Sequence, residues 1–579
     1  MMMLAIATLC LVLSGIALSA LAWLSGHRNL LPPPDSPAGL DLLAHYNASV
    51  HQVFFVGLGL LVLTLAIKAW QADHQQPFGS PLATLRANPI ATAVLVAYGL
   101  WMVQESSWFY KEILTWYDDV LADQLLNNFS WRESFLSESL GRNDYRFFPL
   151  SHQDLHLLSW FTPYTKVWGV VNAAEWIATV LLIDAIASRS LPRHASVPAS
   201  LLITTILYGF TSAAAYNYFQ FIYSERLLCL LLALYVFLYQ RYQQERQPRD
   251  ATLTCLVALL AIFLKDSAIL LVSLPPLLTL IAGAKRDGSL MGTLRSCDSL
   301  ELALLALVPI FLASVLWLSV LPSFYAAVER YDAGLRFSRF APDWRWLVLI
   351  LFLGLRVRAV LRHQRTADLI DSVNVAAIGY SLALYALVGF ESSNYMALPV
   401  QLVVVLDLLI VWHHWLAPKL GQQLTPRRTG VAGAAISLGI VALEHTGANS
   451  FLHRQQTVSA THRSWEATFR AMEKRARKAR EAGQTVNIIY SKSWFKHSDY
   501  LKTLPYHRLI YLDPDTHQAR VIDGIGSDTG KPYTAQPGDF LMDLDSGHKL
   551  DKYKIDLSAY DVIYRFDPNV SNGRIFRHR

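Results

Sequence analysis

Cysteine is scarce in this sequence, and its scarcity excludes two common ways of holding a domain together. The chain has four cysteines in 579 residues, all in or beside hydrophobic segments and none after residue 445. Their spacing provides neither a disulfide framework nor a set of metal ligands. The four positions are Cys10, Cys229, Cys255 and Cys297.

Charge is sparse as well. Only 16% of the residues are Asp, Glu, Lys or Arg, whereas soluble domains carry about 25%. The hydrophobic fraction is 53% and the mean hydropathy is +0.29. The formal net charge of +6 does not indicate nucleic-acid binding, because the basic residues lie between hydrophobic runs rather than along one face. This composition predicts an integral membrane protein that contacts lipid over much of its surface.

Long apolar runs recur along most of the chain. A run of about 17–22 apolar residues can cross a bilayer as a helix. The first run is predicted to be a retained anchor, since it lacks a basic n-region and an A-x-A cleavage site. Lys265 and Asp266 separate two short runs, which leaves one broken helix as an alternative to two spans. The predicted spans, about thirteen in all, are 3–24, 51–70, 89–109, 167–187, 198–214, 221–240, 252–264, 267–284, 300–321, 345–361, 371–390, 397–416 and 429–445.

Basic residues concentrate in alternate connections between these runs. Loops rich in Lys and Arg stay on the cytoplasmic side, so the N-terminus is predicted to be cytoplasmic and the C-terminal domain periplasmic in a bacterial inner membrane. The longer polar connections lie on the opposite, outer side, where function is expected. The basic loops contain Lys68 and Arg86; Arg189 and Arg193; Arg241, Arg246 and Arg249; Lys285, Arg286 and Arg295; Arg356, Arg358, Arg362 and Arg365; and Lys419, Arg427 and Arg428.

The last part of the chain has a different pattern. A charged helix is predicted over 464–482, and strand-like runs follow at 486–490, 508–512, 519–523 and 560–566, separated by turn signals. The predicted fold class is an all-α polytopic membrane bundle with a small C-terminal α/β periplasmic domain. The predicted domains are residues 1–88, two N-terminal transmembrane helices; 89–445, a transmembrane module with the outer loop 110–166; and 446–579, the soluble domain.

The outer loop 110–166 is amphipathic, with aromatic residues interleaved among charges. Such a pattern is typical of helices that lie in the membrane interface. Asp118 and Asp119 are adjacent just beyond the third predicted span. Further along, Arg142 and Arg146 precede His152 in a stretch whose core reads RFFPLSHQ.

These features resemble the GT-C superfamily of integral membrane glycosyltransferases. An acidic pair at the top of an early span, interfacial helices in the first long outer loop and a C-terminal soluble domain are shared with that superfamily. The stretch 142–153 is similar to a motif in uncharacterised bacterial membrane proteins of this type. The topological resemblance covers roughly residues 89–445, with two additional spans before the acidic loop. It implies transfer of a sugar from a polyprenyl-phosphate donor to a glycan, lipid or protein acceptor at the outer membrane face.

The acidic pair is the candidate for the base that this chemistry needs. A carboxylate at headgroup depth can deprotonate an acceptor hydroxyl and stabilise positive charge developing on the sugar ring. Asp118 or Asp119 is predicted to fill that role in an inverting transfer. The competing interpretation is a pair of solvated carboxylates that end the third span at the interface.

A phosphate leaving group needs cations, since charge-assisted contacts hold phosphate best. Arg142, Arg146 and Lys265 are the leading candidates, because Lys265–Asp266 interrupts an apolar stretch and such residues usually face a cavity. Snorkelling cations and a structural Lys265–Asp266 pair are the alternatives. The full set of predicted substrate-binding residues is Arg142, Arg146, His152, Lys265, Asp266, Glu225, Arg226 and Tyr395.

Three function classes remain open from the sequence. The first is the glycosyltransferase, with polyprenyl-phosphate-linked sugar and membrane lipid as partners and no nucleic acid. The second is a transporter or flippase of a lipid-linked intermediate, which commonly shows broken helices at the midplane. The third is a non-catalytic scaffold of an envelope polysaccharide system, with the C-terminal domain as its interaction module. No cofactor is predicted with certainty; the sequence shows no metal-ligand cluster, but leaves a divalent metal open.

Overall fold

A computed structural model describes most of the chain. The described residues are 2–72, 80–107, 109, 120, 132, 135–136, 141–190, 197–287, 298–327, 334, 336–445, 450–491, 499–524, 528–544, 549–566 and 573–579. Asp118 and Asp119, the predicted base candidates, lie outside these residues.

Helices account for almost all regular structure before residue 482. The first group is α1 (Met2–His27), α2 (Pro37–Gln71), α3 (Pro81–Ala87), α4 (Pro89–Glu105), α5 (Gln153–Ser159), α6 (Thr165–Arg189), α7 (Ser200–Gly209), α8 (Ser212–Phe219), α9 (Glu225–Glu245), α10 (Pro248–Leu264) and α11 (Ala268–Asp287). The second group is α12 (Ser299–Leu305), α13 (Leu307–Val315), α14 (Leu321–Ala326), α15 (Trp344–Leu361), α16 (Leu369–Val388), α17 (Leu398–Val411), α18 (Ala417–Gly421), α19 (Pro426–Glu444) and α20 (Phe451–Glu481).

Many of these helices are apolar enough to cross a membrane. Within the described residues, six helical stretches meet the requirement of length and composition, and a seventh does if the bent pair α3–α4 is one span. The six are Met3–Leu30, Pro37–Gln71, Thr165–Arg189, Ser299–Ala326, Leu369–Val388 and Tyr395–Gly421. This confirms a multi-pass helical membrane protein. A helix occupies each of the predicted spans, but the count of thirteen crossings stays a prediction.

Local sequence signals explain where several helices begin. Ser36, Thr211 and Thr425 each accept a backbone N–H bond at an N-cap position, which satisfies a donor that the first turn leaves free. Asp368 does the same for α16 and, with Asp371, forms a reciprocal capping box. Short polar segments between apolar runs therefore end one helix and start the next.

The chain separates into two compact units. The first comprises residues 1–102, 136–154 and 170–451, and the second comprises 103–135, 155–169 and 452–579. The second unit thus includes parts of the outer loop 110–166 as well as the C-terminal region that the sequence marks as a separate domain.

The second unit contains a seven-stranded sheet. Its strands are β3 (Asn487–Ser491), β4 (Arg508–Leu512), β5 (Ala519–Gly524), β6 (Pro532–Tyr533), β7 (Phe540–Asp543), β8 (Tyr560–Arg565) and β9 (Arg574–His578); β1 (Phe340–Ala341) and β2 (Phe390–Glu391) form a separate parallel pair in the first unit. The strand order is β6-β5-β4-β3-β7-β9-β8. The central strands β4, β3 and β7 are parallel, and the outer pairings are antiparallel.

Both faces of this sheet are covered, so alternate side chains of its central strands are buried on opposite sides. Ile488 joins Trp465 and Phe469 of α20 in one apolar cluster, whereas Ile489 joins a second cluster with Leu550. Leu550 belongs to the short helix α21 (Lys549–Lys552). The predicted α/β character is thereby confirmed, with α20 beginning thirteen residues before the predicted start at Ser464.

Candidate functional site

The break between α10 and α11 places a lysine inside the first unit. Only Arg246 and Gln247 separate α9 from α10, and the two helices pack together, so the start of α9 lies beside the end of α10. Lys265 follows α10 in an extended conformation and meets Glu225, the first residue of α9. Lys265 Nζ lies 2.7 Å from Glu225 Oε1, and the two side chains are 8% and 1% exposed. The arrangement is a buried ion pair at a helix end.

A tyrosine covers this ion pair. The Lys265 ammonium lies 5.9 Å from the centroid of the Tyr395 ring, within the range of a cation–π contact. Tyr395 stacks on Tyr223 with ring centroids 3.9 Å apart, and its backbone carbonyl accepts a bond from Asn217 Nδ2 at 2.9 Å. The turn before α17 is therefore held against the start of α9.

Arg226 forms the adjacent part of the cluster. Its Nη1 and Nη2 donate to the carboxylates of Glu175 and Asp154, and its Nε donates to the Phe221 carbonyl at 2.6 Å. The residue is only 2% exposed. Every guanidinium nitrogen is thus engaged by the protein's own acceptors, so this arginine holds two carboxylates in place. Its contact with substrate stays a prediction.

The segment 141–152, which contains the RFFPL sequence, packs on the end of α10. The Leu150 N–H donates to the Phe263 carbonyl at 2.9 Å. The segment that carries Arg146 is thereby joined to the helix end that precedes Lys265, and like charges in the same region repel each other. An anion bound near both would offset that repulsion, as a phosphate does in charge-assisted contacts.

The same segment is tightly folded around its charges. Arg142 Nε donates to Asp144 Oδ2 at 3.0 Å, and the Arg146 N–H donates to Asp144 Oδ1 at 3.2 Å. Both guanidinium groups lie over the Phe148 ring, at 5.8 and 5.1 Å from its centroid. Tyr145 adopts a φ of 64°, a conformation that surrounding contacts must hold. Arg142 and Arg146 are therefore positioned as a pair.

An apolar groove of about 310 Å³ begins beside this segment. The Tyr145 N–H donates to Ser323 Oγ at 3.0 Å, and the neighbouring Pro322 and Tyr325 line the groove. Trp23, another lining residue, is 46% exposed, so the groove opens at the helix surface. The lining comes from α1, α2, α14 and their connections: Ala20, Trp23, Leu24, Leu31, Leu42, Leu43, Tyr46, Trp317, Leu321, Pro322 and Tyr325.

A second polar pocket of about 310 Å³ lies at the starts of α15 and α17. Arg345 Nε and Nη2 donate to the Glu444 carboxylate at 2.7 and 2.9 Å. Gln401 is 3% exposed and donates to the Ser392 carbonyl at 2.8 Å, while its Oε1 accepts no hydrogen bond from any group that the structure describes. Burial raises the pKa of Asp343 at the pocket wall. Such a mixture of carboxylate, amide and guanidinium groups suits a ligand rich in hydroxyls.

No protein-family model and no curated protein matches this chain. The resemblance to GT-C glycosyltransferases therefore stays a prediction from the sequence.

The structure brings most of the predicted binding residues into one region. Lys265, Glu225, Arg146 and Tyr395 lie around the end of α10, as described above. Asp266 Oδ1 accepts the Ser267 N–H at 2.8 Å, which stabilises the helix break itself. The remaining members are placed as follows: Arg142 lies beside Asp144, Arg226 binds Asp154 and Glu175, and His152 is half-buried with a φ of 65°.

Several residues of the region were not among the predicted site residues. Asp154 and Glu175 contact Arg226, yet nothing in the sequence indicates that residues this far apart meet. Arg345 does carry a signal, since it stands at the start of an apolar span, where a charged side chain is costly. Its partner Glu444 closes a different span. In the described part of the chain, no group of three or more His, Cys, Asp or Glu side chains is arranged to hold a metal ion.

Proposed function

We propose that this chain is a membrane glycosyltransferase that moves a sugar from a polyprenyl-phosphate donor to a glycan, lipid or protein acceptor. One observation carries the proposal: segment 141–152 bonds to Ser323, next to the groove residue Pro322, and to Phe263 at the end of α10, two residues before Lys265. A lipid-linked phosphate needs an apolar surface for its prenyl chain and cations for its phosphate group, and the two must lie next to each other.

The donor is proposed to lie along this path. Its prenyl chain would occupy the groove of α1, α2 and α14, where Trp23, Tyr46 and Trp317 supply apolar surface. Its phosphate would lie between Arg146 and Lys265, and the leaving phosphate would keep these contacts after the sugar departs. This arrangement supports transfer with a phosphate leaving group that needs no protonation.

The base is proposed to be Asp118 or Asp119, on the strength of the sequence alone. The acidic pair follows the third predicted span, close in sequence to the start of the outer loop. The polar pocket at Arg345 and Gln401, in the same unit as Lys265 and Arg146, supports a hydroxyl-bearing acceptor. The base would remove the proton from the acceptor hydroxyl while the hydroxyl oxygen attacks the sugar carbon and the phosphate leaves.

The proposed topology has thirteen crossings, a cytoplasmic N-terminus and a periplasmic C-terminal domain in a bacterial inner membrane. The alternation of basic loops supports it. An enzyme is favoured over a transporter, because the sequence offers one charged helix break, at Lys265 and Asp266, and the proposed topology puts it near the outer face rather than at the midplane.

Reconstitution tests the proposal. The purified chain in liposomes would be given a panel of polyprenyl-phosphate sugars and candidate acceptors, and release of polyprenyl phosphate would be measured. We expect Arg146→Gln to lower kcat/KM by at least tenfold, which is about 1.4 kcal/mol. Arg336→Gln is the matched control, since Arg336 is an exposed arginine outside the cluster. Equal effects of the two substitutions would contradict the phosphate site.

The acidic pair is tested in the same assay. Loss of transfer in Asp118→Asn or Asp119→Asn, with donor binding retained, would support a base at that position. Full activity of both folded variants would show that the base assignment is wrong. Movement of an intact lipid-linked sugar across the bilayer without cleavage would contradict the transferase and favour a flippase.

A further inference from the structure

A cavity lined by several arginines lies apart from the ionic cluster at Lys265 and Arg226. It has a volume of about 560 Å³ and is formed at the end of α15, the start of α16 and the end of α17. Along α15, Arg345 and Arg358 are separated by about 20 Å at the helical rise per residue. The cavity therefore belongs to the opposite membrane face from Arg345 and Tyr395, the face that the sequence predicts to be cytoplasmic.

Two of the arginines in this cavity are fixed by carboxylates. Arg356 Nε donates to Asp371 Oδ1 at 2.5 Å, and its Nη2 donates to Asp368 at 2.6 and 2.7 Å. Arg365 donates to the same two carboxylates, at 2.8 Å from each through its Nη2. Asp368 and Asp371 are themselves held by the capping box of α16. The wall of the cavity is thus rigid on its charged side.

Two further arginines have no such partner. Arg358 and Arg362 line the cavity and are exposed, and within the described ranges neither side chain makes an ion pair or hydrogen bond. The two carboxylates Asp368 and Asp371 can offset only two of the four guanidinium charges. An excess of about two positive charges remains. It attracts anions that come closer than the Debye length, beyond which salt screens the attraction.

The opposite wall is apolar. Side chains from α15 and α17 supply it, and Trp415 at its margin is 53% exposed. Aromatic residues with this exposure are enriched at the level of lipid headgroups. Basic residues that only determine membrane topology do not need to line a cavity. Arg358 and Arg362, in contrast, line a cavity whose other side is apolar. The apolar wall residues include Phe352, Leu355, Ala359, Ile410 and Val411.

We propose that this cavity binds an anionic phospholipid, with the phosphate between Arg358 and Arg362 and the start of an acyl chain against Leu355 and Ile410. Arg356 and Arg365, held by Asp368 and Asp371, shape the site, and the negative charge of the ligand is opposite in sign to the excess of cations. The proposal is independent of the transferase chemistry, because the cavity shares no residue with the ionic cluster of Lys265, Glu225 and Arg226.

The test measures lipid binding to the full chain by native mass spectrometry, with phosphatidylglycerol and phosphatidylcholine as probes in the same detergent. We expect Arg358→Gln/Arg362→Gln to weaken phosphatidylglycerol binding about 30-fold, or ~2 kcal/mol, because each cation near the surface contributes comparably to attraction of an anionic lipid. Arg427→Gln/Arg428→Gln removes the same charge from the start of α19, outside the cavity, and should change affinity less than threefold.

A second variant tests the volume of the cavity while leaving its charge unchanged. Ala359→Trp adds bulk to the cavity wall while keeping all four arginines, and it should displace the lipid to a similar extent. The proposal is overturned if both cavity variants bind phosphatidylglycerol as the parent does, or if phosphatidylcholine binds equally well. It is also overturned if inorganic phosphate binds as tightly as the lipid, since the ligand would then be a free anion.

Discussion

The ion pair between Lys265 and Glu225 offers a way to separate what stabilises the fold from what binds a substrate. Replacing Lys265 by methionine keeps the length and apolar stem of the side chain but removes its charge. Glu225, whose side chain is 1% exposed, is then left without its cation. Breaking a buried pair in this way costs about 3–5 kcal/mol, because the remaining charge has no compensation.

The second substitution removes that residual charge. In Lys265→Met/Glu225→Gln, neither side chain is ionised, and replacing a whole buried pair is often neutral for stability. We therefore expect the double variant to recover at least ~2 kcal/mol of the loss in Lys265→Met. Equilibrium unfolding in mixed dodecylsulfate and maltoside micelles would supply both free energies.

The same two variants are then compared for transfer activity. If Lys265 contacts the donor phosphate, the double variant should be stable yet impaired in transfer, with release of polyprenyl phosphate lowered by at least tenfold, ~1.4 kcal/mol. Full activity would show that Lys265 serves only the fold. A double variant as unstable as Lys265→Met would refute the reasoning about the buried pair itself.

Two further predictions concern packing and protonation. Gly433→Ala should destabilise the first unit by about 1–3 kcal/mol, because the added Cβ would lie 2.5 Å from Trp412 and 2.7 Å from Ile203. Gly439→Ala in the same helix is the control. Its added Cβ meets nothing within 4 Å, so the free energy of unfolding should stay unchanged or rise. Burial lowers the pKa of His462 to about 3, whereas the unfolded chain protonates near 6.5, so stability should fall by up to ~1.4 kcal/mol per pH unit as the pH drops below 6.5. His462→Gln should make unfolding curves between pH 7.5 and 4.5 less dependent on pH, and an unchanged slope would contradict burial of a neutral imidazole.

The sequence predicts most helices of the first unit because their cause is local. An apolar run of membrane length forms a helix whatever its neighbours, and each predicted span coincides with one or more helices. Strands at 487–491, 508–512 and 519–524 agree with prediction to within one residue, because buried apolar runs bounded by turns carry that signal.

Elements whose stability comes from distant partners were missed. β9 (Arg574–His578) carries two arginines in five residues, and its sequence alone does not resemble a buried strand. It is buried because Ile575 and Phe576 cover opposite faces of the sheet and Arg574 pairs with Asp543 at 2.6 Å. Arg226 was predicted as a site residue, but its carboxylate partners Glu175 and Asp154 were missed for the same reason, since they lie 51 and 72 positions away.

The ionic contacts of the first unit are hard to explain by stability alone. A buried pair repays its desolvation only with excellent geometry, and apolar residues of similar size would often stabilise a fold as well or better. Yet Lys265 pairs with Glu225, Arg226 with two carboxylates and Arg345 with Glu444. We infer that such a cost is offset by a role in meeting the charge of a substrate. Under the proposed function, that charge is the phosphate of a lipid-linked donor, because such a ligand brings an anion and an apolar tail together, as the groove of α1, α2 and α14 and the cations near α10 require.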